Sequence, residues 1–355
     1  MKIVLSSKHF LPTLGGSINY GVMLAGAFHR KGAEVIIMTR TPGSEEPVGG
    51  CQVVRNASLG RRFELAGWAD VIMQVEASWR DVWPFLLRGR PWFPTIHCGS
   101  IRNSSVRTRL ANLGLSAAYR MGRTIPVGDQ VARVSGVRGE PIHNPYDDAV
   151  FYETAEPATR PLDLLFVGRV EKSKGVFVLL DALRRIAPQL ESAMTCCFVG
   201  DGPDDEMLRQ ATAEFGPKVQ FEHAGRLAPE AVADRMRRSK ILVFPTTPEW
   251  AEASPLTPLE ALACGCRIVA ADNGGTRENI GPDGILVESG QAAPLASALL
   301  ALLQSPPVRE MEGVRRFLAD RTLERVASRY LDRFATAINT GRNPSKLDTE
   351  QITKR

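Results

Sequence analysis

Strand-length apolar runs alternate with helical patterns along this chain, and the alternation stops near residues 154–161 and then starts again. That order predicts parallel strands joined by crossover helices, because parallel neighbours cannot be linked by a tight hairpin. In the first half the strand candidates are residues 1–5, 34–38, 53–54, 71–75, 93–96 and 125–127, with a helix after the first strand that reaches Arg30 and stops at Gly32. In the second half they are residues 162–167, 194–199, 219–221, 241–244, 267–271 and 285–287. Helical patterns cover 176–186, 206–215, 229–238, 256–263 and 292–303, and the stretch 308–338 reads as helix throughout. Between the halves, Glu156-Pro157-Ala158-Thr159-Arg160-Pro161 has the composition of a linker. Two α/β domains of similar size follow, with the crevice between them as the expected ligand site. The boundaries read as 1–155 and 156–320, then a C-terminal helix at 321–340 that packs back on the first domain, and a polar tail at 341–355.

Length agrees with that division, since 355 residues exceed what one hydrophobic core usually serves. Apolar residues make up 44% and charged residues 23%, the balance of a soluble globular chain, and no apolar run is long enough to span a bilayer. The N-terminus reads as a first strand and not as a signal peptide. Six scattered cysteines without a C-x-x-C pair read as reduced cytosolic thiols; Cys264 and Cys266 have no second pair or nearby histidine to complete a metal site. A cytoplasmic location is the expectation. The net charge of +5 suits an anionic substrate or an anionic membrane surface. Nucleic acid is not expected, because aromatic and basic residues are not interleaved in any recognition pattern.

The most informative stretch is residues 248–278. Glu252 and Glu260 have seven residues between them, with Pro255 suited to a helix start and Gly265 to its end. Glu252 then lies in the loop before a helix and Glu260 inside the helix. The free N–H groups of that helix start, those of Leu256 and Thr257, face the place where a diphosphate would sit. Carboxylates on either side of it can accept hydrogen bonds from ribose and sugar hydroxyls. Two glutamates at this spacing are also commonplace on a surface helix, so the pair needs support from elsewhere.

Support comes from other strand ends. Arg169 and Lys174 flank the loop after residues 162–167, where α/β sheets bind ligands and where two cations would offset charge on a leaving diphosphate. A solvated basic loop is the bland alternative. Leu14-Gly15-Gly16-Ser17 follows the first strand and precedes a helix, so Gly15 and Gly16 let backbone approach a ligand or simply form a turn. His97 ends the 93–96 strand, pointing into the crevice or serving as a structural hydrogen-bonding residue.

Taken together these stretches resemble the retaining glycosyltransferases of family four, which have the GT-B fold: two Rossmann-like domains with parallel sheets facing a central cleft. The resemblance covers most of the chain and is strongest over 163–287. It rests on the E-x7-E pair Glu252 and Glu260, on Gly265 to Ala270 and Gly274-Gly275-Thr276-Arg277-Glu278, and on Phe166-Val167-Gly168-Arg169 with Lys174-Gly175. Gly200-Asp201-Gly202-Pro203 and Asn144-Pro145-Tyr146-Asp147 add to it. It implies that Arg169 and Lys174 bind the diphosphate, Glu260 the ribose hydroxyls and Glu252 the transferred sugar. Gly16 would approach the diphosphate or the acceptor, and His97 would lie near the transferred sugar. It also implies transfer with retention of anomeric configuration from a UDP- or GDP-sugar, without a covalent nucleophile or a catalytic metal, and no D-x-D triplet occurs in the chain. Acceptors in polysaccharide, glycolipid or other glycoconjugate synthesis are implied. Ala253-Ser254-Pro255 departs from the usual glycine after the first glutamate, and Pro255 removes one backbone donor.

A nucleotide-sugar epimerase or a non-catalytic nucleotide-sugar-binding protein of the same architecture is the alternative. A dinucleotide-dependent dehydrogenase is disfavoured because no G-x-G-x-x-G follows the first strand, and a P-loop NTPase because no G-x-x-x-x-G-K-[ST] occurs. Arg102, Arg107, Arg109, Arg120 and Arg123 surround Leu110, Leu113, Leu115 and Ala117, so the stretch 102–123 reads either as a peripheral contact with the inner face of a membrane or as a solvated basic helix, or one that contacts an anionic acceptor.

Overall fold

The structure, a computed structural model, describes residues 1–13, 15–75, 77–97, 123–137, 139–154, 160–304 and 309–342. Several sequence expectations fall outside them: Leu14 of the glycine turn, Cys98, the basic stretch as far as residue 122, residues 155–159 of the linker, and the tail beyond 342.

Two compact units form, residues 1–145 joined by the chain from Leu323, and residues 146–322. The first unit runs β1 (Lys2–Ser7), α1 (Gly16–Arg30), β2 (Glu34–Thr39), β3 (Gln52–Arg55), α2 (Leu59–Trp68), β4 (Val71–Val75), α3 (Trp79–Leu87), β5 (Trp92–Ile96), β6 (Ile125–Pro126) and α4 (Asp129–Ser135). Its six strands pair in the order β3-β2-β1-β4-β5-β6. All the ladders are parallel, which explains why β1, β2, β4 and β5 are apolar on both faces and buried almost throughout.

The second unit repeats the plan with β7 (Leu162–Val167), α5 (Val176–Ile186), β8 (Met194–Val199), α6 (Asp205–Ala213), β9 (Val219–Gly225), α7 (Pro229–Arg237) and β10 (Ser239–Phe244). It continues with α8 (Leu256–Ala263), β11 (Arg267–Ala271), β12 (Ile285–Val287), α9 (Ala292–Gln304) and α10 (Met311–Ala319). Its order, β12-β11-β10-β7-β8-β9, is the same winding read from the other edge. In each sheet the chain starts in the middle, builds outward to one side, then returns and builds to the other. The reversal falls between β1 and β4 in one sheet and between β7 and β10 in the other, and in such sheets the loops leaving those strands at their carboxyl ends are where ligands bind.

The C-terminal stretch differs from the single helix expected over 308–338. Helix α10 stops at Ala319 and α11 (Leu323–Arg342) begins after a break. The break has a tertiary cause: the Tyr146 N–H donates to the Arg321 carbonyl at 3.0 Å, and Tyr146 bridges Thr322 in parallel. Those backbone groups are therefore not free for a helix. Helix α11 packs on α1 of the first unit. Phe334 meets Phe28 and Phe93 ring to ring, and Tyr330 and Tyr20 share a buried hydrogen bond of 2.5 Å between their hydroxyls.

The five cysteines among the described residues are free and buried. Burial pushes the Cys264 and Cys266 thiols up to about 12, and Cys266 donates to the Met236 carbonyl at 3.0 Å, so both behave as core thiols. No helix among the described residues is long and apolar enough to cross a membrane.

Candidate functional site

In the second unit, the loops after β7 and β10 meet at the reversal point of the sheet. After β7 the chain makes a short turn, Lys172–Lys174, and enters α5 through Gly175. Gly175 has φ +77, and a Cβ there would collide with the Pro245 carbonyl at the end of β10; only glycine lets the two loops come this close. The Ser173 carbonyl then accepts from the Thr247 N–H at 3.0 Å and from its hydroxyl at 3.2 Å.

This approach brings Lys174 to Glu252. Its Nζ donates to Glu252 Oε1 at 2.7 Å, with both side chains largely shielded from solvent. The ammonium also sits 5.0 Å from the ring centre of Trp250, a half-exposed side chain in the same loop. Trp250 is held by its backbone: its N–H donates to the Thr247 carbonyl at 3.1 Å, and Asn273 Nδ2 donates to the carbonyls of Thr247 and Trp250 at 2.7 and 2.8 Å. Gly274 and Gly275 complete the support. Gly274 has φ +59, and a Cβ on either would strike the carbonyls of Glu252 or Ala253. The Gly275 N–H donates to the Glu252 carbonyl at 2.7 Å. The G-G-x-x-E segment read from the sequence is thus the bed on which the Glu252 backbone lies.

Helix α8 starts directly after Pro255, without a side-chain cap. Leu256 and Thr257 are its first two residues and remain partly exposed, whereas Pro258 supplies no amide. Glu260 lies one turn further on. Its desolvation, with a smaller contribution from the charge of Asp147, pushes its carboxyl up to about 7. Buried Asn279 donates to Ser254 Oγ at 2.9 Å and pins the chain two residues before the helix. Arg169 is exposed, unlike Lys174 and Glu252, and pairs with Glu171 at 3.2 Å. Of the second-unit residues singled out from sequence, Lys174 and Glu252 are in direct contact, while Arg169 has a local acidic partner of its own.

In the first unit, Gly15 and Gly16 stand at the start of α1, with extended backbone at Gly15. A Cβ on Gly16 would meet nothing within 4 Å, so packing does not demand a glycine there. His97 follows β5. Its Nε2 shares a 2.9 Å hydrogen bond with Thr95 Oγ1, and its ring meets Tyr20 edge-on at 4.6 Å. Burial lowers its imidazole to about 4, so it is neutral at physiological pH and acts as a hydrogen-bonding group without positive charge.

Three contributors escaped sequence reasoning. Trp250 is two residues from Glu252, but a lone loop tryptophan carries no spacing signal. Asn273 and Tyr20 act through contacts distant in sequence, in a loop support and a ring pair respectively.

Residues 153–314 match the family described as glycosyl transferases group 1. The 2-deoxystreptamine N-acetyl-D-glucosaminyltransferase of Streptomyces fradiae is 28% identical over 269 residues, 65% of this chain and 62% of that protein. The phosphatidyl-myo-inositol mannosyltransferase of Mycobacterium leprae is 33% identical over 163 residues, 43% of this chain and 42% of that one. The matched stretch thus spans less than two thirds of either relative's length. Among solved structures, Anabaena HepE in complex with UDP matches with a TM-score of 0.75 at 17% identity, covering 95% of this chain and all of that one. Sucrose-phosphate synthase from Thermosynechococcus elongatus matches with a TM-score of 0.73 at 22% identity, covering 96% and 99%. At these identities the likeness establishes the fold, which is the two-domain GT-B architecture.

Proposed function

We propose that this chain, whose residues 153–314 form a group 1 glycosyltransferase domain, moves a sugar from a UDP- or GDP-sugar to an acceptor with retention of anomeric configuration. The observation that carries the reading is the Lys174–Glu252 contact at the reversal point of the second sheet, beside the uncapped start of α8. A diphosphate competes with the Glu252 carboxylate for the Lys174 ammonium and accepts from the Leu256 and Thr257 amides. Glu252, released from Lys174, is left to accept hydroxyls of the transferred sugar, and Glu260 accepts those of the ribose. Arg169, exposed at the loop edge, adds positive charge as the diphosphate leaves.

No protein nucleophile is needed in this scheme. The bond from the anomeric carbon to the diphosphate oxygen breaks with its electron pair going to the phosphate. The acceptor hydroxyl attacks from the same face, and its proton passes to the leaving phosphate. The protein supplies placement and electrostatics. Neutral His97 donates or accepts a hydrogen bond near the sugar, and open space at Gly16 lets the α1 backbone approach the diphosphate or the acceptor. The acceptor class is sugar-containing or lipid-linked, in polysaccharide, glycolipid or other glycoconjugate synthesis, at the cytoplasmic face of a membrane. Lysine, arginine and helix amides provide the positive charge, so turnover is expected to survive chelator.

Calorimetric titration of UDP and GDP, with chelator present, into the wild type and Glu260→Ala tests the site. Binding of one nucleotide that is lost in the variant supports it and names the base. If neither nucleotide binds the wild type, the donor-site reading fails. A panel of donor sugars, with the anomeric configuration of the product read by NMR, tests retention and separates transfer from epimerisation.

A further inference from the structure

Nine large apolar side chains are exposed among the described residues, and four of them, Leu59, Trp79, Trp83 and Leu87, belong to the neighbouring helices α2 and α3. On α3 they recur every fourth residue, with exposures of 38% for Trp79, 37% for Trp83 and 71% for Leu87, while Asp81, Val82, Pro84 and Phe85 form its buried side. Leu59 on α2 is 50% exposed. The stripe is continuous across the two helices: Phe63 of α2 meets Trp83 edge-on at 5.3 Å, and Arg62 of α2 donates to the Arg80 carbonyl at 2.8 Å. Trp79 leans on the buried Trp92 ring at 5.6 Å. The two exposed indoles are therefore held in place.

Exposed arginines flank this stripe. Residues 59–90 carry five arginines (61, 62, 80, 88 and 90) against four acids (64, 70, 76 and 81). Among the described residues the acids are engaged: Glu64 pairs with Arg61 at 2.8 Å, Asp81 with Arg40 at 2.7 Å, and Asp70 accepts the Lys2 N–H at 2.9 Å. Arg80 and Arg88 remain exposed beside Trp79, Trp83 and Leu87.

We infer that the α2–α3 face docks on a bilayer containing anionic lipids, with Trp79, Trp83, Leu87 and Leu59 entering the headgroup boundary and Arg80 and Arg88 meeting lipid phosphates. Tryptophan settles at that boundary because its ring is apolar and its N–H is polar, and basic residues close to it add attraction to an anionic surface. Four part-exposed side chains offer well under the roughly 800 Å² per partner that a stable protein interface buries, which favours the bilayer over a second copy of the chain. This surface differs from the stretch 102–123 and stands whether or not the donor site works as proposed.

The test is co-sedimentation with phosphatidylcholine vesicles with and without phosphatidylglycerol. Three proteins are compared: wild type, Trp79→Ser/Trp83→Ser/Leu87→Ser and Arg80→Glu/Arg88→Glu. The wild type is expected to bind anionic vesicles only, and each variant to bind about tenfold more weakly or less. Brominated acyl chains are expected to quench wild-type tryptophan fluorescence, a readout that needs no variant. Undiminished binding by both variants would place the contact elsewhere, and absence of wild-type binding and quenching would end the proposal. A wild-type dimer in light scattering that becomes monomeric in the serine variant would replace the bilayer with a second copy.

Discussion

Lys174 Nζ and Glu252 Oε1 are 2.7 Å apart across 78 residues of sequence, joining the group assigned to the diphosphate to the group assigned to the sugar. Their largely shielded contact makes each sensitive to loss of the other, since an unpaired charge with little water around it is costly. Lys174→Ala is expected to lower kcat/KM for the donor by about 10²–10³-fold, the range for removing one group that meets developing charge. Glu252→Gln keeps the shape and removes the charge. In a double-mutant cycle on kcat/KM, Lys174→Ala and Glu252→Gln should be strongly non-additive. Additive losses would mean that the two side chains do not act on one substrate.

Glu260 gives a pH dependence with a definite sign. Its folded-state pKa, about 7, lies above that of an ordinary glutamate, near 4.3. Between those values the folded chain holds a proton that the unfolded chain releases, so the contribution of this group to stability is greatest below about pH 4.3 and is lost as pH rises to about 7. Glu260→Gln removes this penalty. The variant is expected to gain on the order of 1–3 kcal/mol in urea unfolding at pH 8, and almost nothing near pH 4.5. Nucleotide affinity should run the other way, rising through pH 7 in the wild type as the carboxylate becomes free to accept the ribose hydroxyls. A flat wild-type affinity across pH 6–8 would remove Glu260 from the ribose.

The glycines separate support from contact. Gly274→Ala places a methyl against the Glu252 carbonyl at a backbone angle that alanine avoids, so the Glu252 loop must shift. We expect a lower melting temperature and a fall in kcat/KM of about tenfold or more. Gly16→Ala meets open space, so its melting temperature should equal that of the wild type. A loss of kcat/KM there without a loss of stability would mark substrate approach at α1, and unchanged kinetics would leave Gly16 as an ordinary helix start.

Much of the fold was legible because strands buried on both faces are apolar without interruption. Residues 162–167 and 194–199 were read to their exact bounds on that signal, and 241–244 to within two residues. The signal failed where burial is partial. β9 extends to Gly225, four residues past the expected end, because Glu222 and His223 interrupt the apolar run on a half-exposed edge strand. The break at 320–322 was invisible since Asp320-Arg321-Thr322 carries no helix-stop residue, and it arises from pairing with Tyr146. At the site, the spacing of Glu252 and Glu260 was readable because it lies within one loop and helix. The Lys174–Glu252 contact and the shift on Glu260 depend on residues brought from elsewhere in the chain, and no local pattern encodes them.

His97 provides the remaining test, because its neutrality determines what it can do. Burial lowers its pKa to about 4, while an unfolded histidine titrates near 6.5. As pH falls from 6.5 towards 4 the unfolded chain takes up a proton that the folded chain refuses, so this group contributes stability above pH 6.5 that is lost on acidification. His97→Gln, which keeps hydrogen-bonding capacity without a titration in this range, should therefore lessen acid destabilisation between pH 6.5 and 4. On activity, a neutral hydrogen-bonding role predicts that His97→Ala loses about 10–100-fold in kcat/KM and that His97→Gln recovers part of it. The wild-type rate should show no His97 titration between pH 6 and 8. Tyr330→Phe removes one hydroxyl from the pair behind Tyr20, whose ring edges His97. If His97 depends on that packing for its placement, this variant should lower kcat more than it raises KM. A rate that instead follows a single ionisation near pH 6.5, lost in His97→Gln, would make His97 a proton carrier and overturn the neutral assignment.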